Sequence, residues 1–360
     1  MMRIALLGLE GNFSRSTGLG APVYMYELYN HLKKLSSSKD FDIEKIEYER
    51  VSAGDIKIFN EGLGWLYLVL KSAVDDYSSF DILHKVDIKP IFPYNRGNAI
   101  FVTTAHDFQP ILAPELDSDM ENSIGNRLKL SLEIRYSLRL ALRSDFLMTN
   151  TTLTRDDAVS LGFDKKKIFI APHGIDERYR NQIKKRKNKE YTVGYIGSFR
   201  YRKNLQFAIK AFAKTEGKVR FEVWGKKAYD YRKLEFLARN DKRINFMGFA
   251  PEDKIVSIYD GFDAFVFPSF YEGEGLPILE AQARGLPVVI YKKGKIANEI
   301  KKYCYEAEDE EEMTEIITKL KEEGYNNKRR EAAIKYARSF TWENTARKTL
   351  EAYEKMIRIK

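Results

Sequence analysis

From Asp263 to Ile290 the chain reads as strand, glycine turn, helix, glycine, strand, an order that a parallel α/β layer accommodates. Asp263-Ala-Phe-Val-Phe267 is a short apolar run bounded by turn residues, which predicts a buried strand. Gly273 and Gly275 let the backbone approach a ligand closely, and Pro277 suits the first position of a helix, where its missing N–H costs nothing. The helix should run to about Arg284, stop at Gly285, and give way to a strand at Pro287-Val-Val-Ile290. A strand, a glycine turn and a free helix N-terminus together make an anion site.

Glu272 and Glu280 stand eight positions apart across that turn. Carboxylates do not hold phosphate; they accept hydrogen bonds from hydroxyl groups, so the layout suits a sugar attached to a phosphate. The plainer reading has Glu280 complementing the helix dipole from the first turn, with Glu272 a solvated loop residue. The stretch from Pro268 to Val289 resembles the E-x7-E motif of the retaining glycosyltransferases of family 4, which have the GT-B fold. The agreement includes the flanking Pro-Ser, Gly-Leu-Pro and Gly-x-Pro-Val-Val. The resemblance implies that Glu272 faces the donor sugar, that the amides of Gly275 and Leu276 meet a diphosphate, and that Glu280 takes the ribose.

Gly197-Ser-Phe-Arg-Tyr-Arg-Lys-Asn-Leu205 joins a predicted strand to a predicted helix, placing Arg202 and Lys203 at or just before a helix N-terminus. Positive side chains there oppose the helix dipole, and an anion between them is the natural remedy. The plainer reading leaves both solvated. The run resembles the family's glycine-to-lysine loop, with Lys203 as its phosphate-binding lysine; Ser198 stands where members often carry arginine, and Arg202 is expected to compensate. His106 follows the strand Ala99-Ile-Phe-Val-Thr103, at the edge where a parallel sheet opens toward a ligand, and Val102-Thr-Thr-Ala-His-Asp107 resembles the family's strand whose histidine approaches the donor sugar. Thr17-Gly-Leu-Gly20 lies ahead of a helix. Because no G-x-G-x-x-G follows the first strand at once, a dehydrogenase-type dinucleotide site is not indicated, and Gly18 and Gly20 resemble the loop by which these transferases approach donor and acceptor.

The α/β alternation runs from Arg3-Ile-Ala-Leu-Leu-Gly8 and restarts at Tyr191-Thr-Val-Gly-Tyr-Ile-Gly197. It predicts two doubly wound, Rossmann-like α/β domains, and the resemblance implies that they face a cleft in a GT-B fold. By the resemblance, 1–173 form the acceptor-side domain, 174–340 the nucleotide-sugar domain, and 341–360 a closing helix that crosses back to the first. At 360 residues the chain is long enough for two such cores. The longest apolar run, Trp65-Leu-Tyr-Leu-Val-Leu70, is strand-sized and far short of the roughly 18 residues a membrane span needs. One cysteine, Cys304, rules out an internal disulfide and points to a reducing, cytoplasmic compartment.

A net charge of +9 is compatible with nucleic acid, an anionic membrane or a polyanionic small substrate. The densest basic run, Lys184 to Lys189, lacks interleaved aromatics and reads as a solvated loop, which argues against nucleic acid. Wound as a helix, the stretch from Arg127 to Arg143 sets Arg135, Arg139 and Arg143 on one face. That stripe is expected to meet an anionic acceptor or the inner face of a membrane, unless it is merely solvated or acid-paired. Asp117-Ser-Asp119 and Asp40-Phe-Asp42 match a metal-binding D-x-D, but neither follows a convincing buried strand, so no metal is expected. The expected ligands are a UDP-, GDP- or ADP-sugar and a carbohydrate or lipid-linked acceptor, without a cofactor. A catalytically silent nucleotide-sugar-binding homologue or a GT-B epimerase would carry similar phosphate and ribose contacts.

Overall fold

A computed structural model describes residues 1–9, 20–48, 64–88, 91–116, 124–184, 189–227 and 231–360. The chain divides into two units. The first comprises Met1–Phe108, Asn122–Gly174 and Trp342–Lys360; the second comprises Gln109–Glu121 and Ile175–Thr341. The closing helix Trp342–Ile359 therefore belongs to the first unit.

The first unit is built on six parallel strands: β1 Met2–Leu9, β2 Phe41–Tyr48, β3 Ile82–Lys85, β4 Ile100–Ala105, β5 Phe146–Thr149 and β6 Ile168–Ile170. Their order is β2-β1-β3-β4-β5-β6, so the chain leaves β1 toward one edge and returns to its other side at β3. One face of the sheet, with Ile4, Leu6, Ile82 and Val102, is covered by Met25, Leu28 and Leu32 of helix Gly20–Ser36 and by Ala346, Leu350 and Met356 of helix Trp342–Ile359. Each of the larger of these side chains, fully buried, contributes roughly 1.5–3 kcal/mol. A polar tie crosses the same face. His84 contacts the Tyr353 hydroxyl through Nδ1 and the Thr104 hydroxyl through Nε2, at 2.6 Å. Burial drives the His84 imidazole down to about 3, so it works as a neutral connector between helix and sheet. The other face, with Leu7, Leu83 and Phe101, packs against Val69 of helix Gly64–Val74 and Leu140 of helix Ile124–Leu142. Trp65 to Leu70, strand-sized in the sequence, lie within the helix Gly64–Val74.

The second unit repeats the plan with β7 Tyr191–Ile196, β8 Val219–Trp224, β9 Ile244–Gly248, β10 Ala264–Phe267, β11 Val288–Tyr291 and β12 Tyr305–Ala307, again all parallel. The order β12-β11-β10-β7-β8-β9 puts its reversal between β7 and β10. In doubly wound sheets the crevice outside the carboxyl ends of the strands at such a reversal is where ligands bind. The core joins Val193, Phe221, Val266 and Val289 of the sheet to Leu205, Ile209 and Phe212 of helix Leu205–Ala213 and to Met313 and Ile317 of helix Glu310–Glu323.

Candidate functional site

Two loops leave the sheet of the second unit at that reversal: one after β7, the other after β10. They are laced together. Asn204 adopts the left-handed conformation at φ +50° and sends its amide to the Pro268 carbonyl, 3.1 Å away; Phe270 N–H donates to the Arg202 carbonyl at 2.9 Å. Among the described residues Asn204 is the one non-glycine at positive φ, a conformation that its short polar side chain tolerates. The β10 loop is braced again where Glu272 N–H donates to the Lys295 carbonyl and Lys295 N–H to that of Phe270.

The bracing brings Arg202, Lys203 and Glu272 together. Lys203 Nζ lies 2.7 Å from Glu272 Oε1, Arg202 lies 3.2 Å from the same oxygen, and Arg202 also donates to the Tyr271 carbonyl at 2.7 Å. The three side chains are 12, 16 and 8% exposed for Lys203, Arg202 and Glu272, so this is a largely buried triad rather than a surface pair. Burial pushes the Glu272 carboxyl up, but the Lys203 ammonium and then the Arg202 guanidinium outweigh it and hold the group below the usual carboxylate range. The anion that the sequence demands between Arg202 and Lys203 is thus, in this structure, a side chain of the chain itself. Ser198 is half-buried in the β7 loop, and its carbonyl accepts from the Tyr195 hydroxyl at 2.8 Å.

Helix Leu276–Ala283 starts from Gly275 at φ +75°, where an added Cβ would also press on Ile278 at 3.3 Å. Glycine is the residue that reaches this turn without strain. Leu276 is the first helical residue and Pro277 the second. Glu280 falls beyond the first turn, so the dipole-complement reading of that residue does not hold. Its carboxylate accepts from the Tyr259 hydroxyl at 2.8 Å and takes a second hydrogen bond from Tyr179. Burial raises the Glu280 carboxyl to about 7, against the downward pull of the two tyrosines.

Sequence reasoning missed the group that secures this arrangement. Arg284, 1% exposed, places all five of its N–H donors: two on the Asp260 carboxylate at 2.8 and 2.7 Å, and three on the carbonyls of Tyr179, Asn181 and Gln182. It locks the end of helix Leu276–Ala283 to the segments that carry Tyr179 and Tyr259. No local pattern marks an arginine whose partners lie 24 and more than 100 positions away.

In the first unit His106 follows β4, and its Nε2 lies 3.0 Å from the Val86 carbonyl. A carbonyl accepts only, so Nε2 carries the proton. His106 meets Tyr24 and His173 edge-on, and His173 stacks on Tyr24 and on Trp342 with ring centroids 4.4 and 5.6 Å away. Gly20 is the first residue of helix Gly20–Ser36; Gly18, Asp117 and Asp119 lie outside the described residues. Asp42 of the second D-x-D sits in β2 and pairs with Lys33 at 3.3 Å. Among the described residues no group of three acidic, histidine or cysteine side chains could hold a metal, and no helix is long and apolar enough to cross a membrane. Arg135, Arg139 and Arg143 are exposed; on the helical wheel of Ile124–Leu142 Arg135 and Arg139 share one stripe with Leu132 and Leu142, which are 56 and 41% exposed, and Arg143 stands in the turn just beyond.

Residues 176–340 match the family described as "Glycosyl transferases group 1". O-antigen chain mannosyltransferase B of Escherichia coli is 28% identical over 170 residues, 44% of this chain; the match spans only 45% of that relative's length. A probable sucrose-phosphate synthase of Thermosipho melanesiensis is 23% identical over 415 aligned positions, covering 98% of this chain and 97% of its own. Among solved structures, sucrose-phosphate synthase from Thermosynechococcus elongatus superposes with a TM-score of 0.72 at 15% identity, over 100% of both chains. Anabaena Alr3699/HepE in complex with UDP and glucose does so with a TM-score of 0.68 at 16% identity, over 99% of this chain and 100% of that one. The two structural likenesses extend over both sheets and show the GT-B fold.

Proposed function

We infer that this chain, whose second unit carries the sequence of the group 1 glycosyltransferases, moves a sugar from a nucleoside-diphosphate sugar to an acceptor hydroxyl with retention at the anomeric carbon. The observation that supports this most is the convergence of Arg202 and Lys203 on one buried carboxylate, beside a glycine-started helix N-terminus, at the reversal of the second sheet. Two preorganised cations and free helix amides suit a diphosphate. The donor diphosphate competes with Glu272 for Lys203 and Arg202 and also meets the amides of Gly275 and Leu276. The released carboxylate turns to the sugar, and Glu280 accepts from the ribose hydroxyls. As the bond from the anomeric carbon to phosphate breaks, the leaving diphosphate takes the proton of the acceptor hydroxyl, which attacks from the same face. No carboxylate nucleophile is required, and the charge is neutralised by the protein without a metal. In the first unit His106, whose Nε2 donates to the Val86 carbonyl, keeps the role that the resemblance assigns to it.

A thermal-shift panel of UDP, GDP, ADP and their sugars tests this reading. A ligand at about 100 times its Kd adds roughly 2.7 kcal/mol of stability, and a flat response across the whole panel would reject a nucleotide-sugar site. A silent binder or an epimerase would respond to the same panel. Ser198 and Glu274, where the family often has arginine and an aromatic, favour that second reading, and transfer of labelled sugar to an acceptor excludes it.

The stripe of helix Ile124–Leu142 and Arg143 supports a peripheral contact with an anionic lipid surface. Three exposed arginines supply the charge complement, and Leu132 and Leu142 supply apolar anchors among them. Flotation with anionic vesicles at low salt should carry the protein upward, and Arg135→Glu with Arg139→Glu should abolish it. Equal flotation with neutral vesicles, or none with anionic ones, contradicts this contact.

A further inference from the structure

Glu280 is held by more than its own helix. The Tyr259 hydroxyl, from the helix Ile255–Asp260, donates to Oε2 at 2.8 Å, and Tyr179, from the turn Glu177–Arg180, supplies a second hydrogen bond. Both tyrosines are buried, 0 and 4% exposed, and pack edge-on with ring centroids 5.7 Å apart. Their placement is not left to the rings alone. Arg284 clamps the Tyr179 carbonyl and, one residue beyond Tyr259, the carboxylate of Asp260. The rotamer of Glu280 is therefore fixed from two separate segments of chain that are themselves fixed to one another.

We propose that Tyr179 and Tyr259 are positioning residues for nucleoside recognition, holding the Glu280 carboxylate so that its remaining acceptor positions meet the vicinal hydroxyls of a ribose. The inference rests on the assignment of Glu280 to the ribose in the preceding section. Buried phenols keep their protons: burial drives both hydroxyls well above the ordinary tyrosine range, so they act as donors throughout the working pH range. Two donors favour the ionised carboxyl over the acid, and they work against the burial that raises it. The other charged groups that face it are Asp176, which disfavours ionisation, and Arg178, which favours it; Arg178 is itself paired with Asp176 at 3.1 Å. Arg284, which caps the same helix, spends its charge on Asp260. Removing one phenolic hydroxyl thus has two consequences: the carboxylate loses a tether, and it takes up a proton at higher pH than before.

The test compares the wild type with Tyr259→Phe and Tyr179→Phe, substitutions that keep the ring and its packing. The Kd of UDP, GDP and ADP, and of inorganic pyrophosphate as the ribose-free control, is measured from pH 5.5 to 9. In the wild type the preference for the best nucleoside diphosphate over pyrophosphate should rise with pH through about 7. In Tyr259→Phe the midpoint should move to higher pH, with about a tenfold loss of nucleoside diphosphate affinity at pH 7, a smaller loss at pH 9, and unchanged pyrophosphate affinity. A pH-independent loss, an unchanged midpoint, or an equal loss for pyrophosphate would reduce the tyrosines to packing residues and overturn the proposal. If no nucleoside diphosphate outbinds pyrophosphate in the wild type at any pH, the ribose assignment itself has failed. The two failures are thereby distinguished.

Discussion

Replacing Glu272 by glutamine separates holding two cations in place from occupying the position of their ligand. Oε1 of Glu272 is 2.7 Å from Lys203 and 3.2 Å from Arg202, and none of the three side chains is more than 16% exposed. Glutamine keeps the shape and removes the charge. Two neighbouring buried cations then lose the carboxylate they share, while the Tyr271 carbonyl still accepts from Arg202 and the Phe267 ring still lies 5.0 Å from Lys203 Nζ. Breaking a buried ion pair from one side costs about 3–5 kcal/mol, which for a unit of this size lowers Tm by roughly 10 °C. An external polyanion should reverse the loss. In the wild type pyrophosphate must displace the Glu272 carboxylate, whereas in Glu272→Gln no charge on that side chain competes with it for Arg202 and Lys203. The gain is one charged hydrogen bond, about 1.5–3 kcal/mol, or roughly 10–100-fold in Kd. Calorimetric titration of pyrophosphate at pH 8 and low salt, with thermal shifts on the same samples, reads both effects. The same pair predicts a pH window. Because the folded Glu272 pKa is depressed, its stabilisation is present above the unfolded carboxylate range and is lost as pH falls through the folded value; Glu272→Gln should lack that acid-side slope. Weaker pyrophosphate binding by Glu272→Gln than by the wild type would refute the reasoning, because the carboxylate would then be organising the cations for the ligand rather than standing in for it.

Glu280→Gln should trade binding for stability. Burial raises the Glu280 carboxyl from 4.5 to about 7, so between those values the folded chain keeps a proton that the unfolded chain has released, and stability falls as pH rises. Urea denaturation should show the variant gaining up to about 3 kcal/mol on the wild type at pH 8 and little at pH 5, while it loses affinity for nucleoside diphosphates more than for pyrophosphate. No gain at pH 8 would mean the native carboxyl is not strained. Arg284→Lys cannot satisfy Asp260 and three carbonyls together, so it should destabilise the chain by about 3–5 kcal/mol in the same assay; a change below about 1 kcal/mol contradicts the clamp. Transfer activity should survive EDTA, since the protein's own cations neutralise the leaving group; loss with EDTA and rescue by magnesium or manganese would reopen Asp117 and Asp119 as ligands.

The strand, glycine turn and helix around Glu272 were legible because turn chemistry and apolar runs are local properties, and β10, Gly275 and helix Leu276–Ala283 follow the pattern closely. The same local signals placed Arg202 and Lys203 ahead of a helix and asked for an anion beside them. They could not name Glu272, 69 positions on, because only the packing of β7 against β10 makes the two loops neighbours. Tyr179, Tyr259 and Arg284 were illegible for a related reason: each looks ordinary in sequence and gains its meaning from partners brought by the sheet. Trp65 to Leu70 shows where length alone stops short. A six-residue apolar run has no period long enough to separate strand from helix, and Gly64–Val74 settles it by extending the run into a helix against the sheet.

The central claim is that Arg202 and Lys203 serve the diphosphate of a sugar donor, and release of nucleoside diphosphate from a sugar donor tests it most directly. The purified chain, incubated with UDP-, GDP- and ADP-sugars with and without simple carbohydrate acceptors, should liberate the nucleoside diphosphate from one donor class. Lys203→Ala should slow that release by roughly 10²–10³-fold, the effect of losing one preorganised charge-stabilising group. Release that proceeds equally fast in Lys203→Ala, or no release from any donor, would contradict the account.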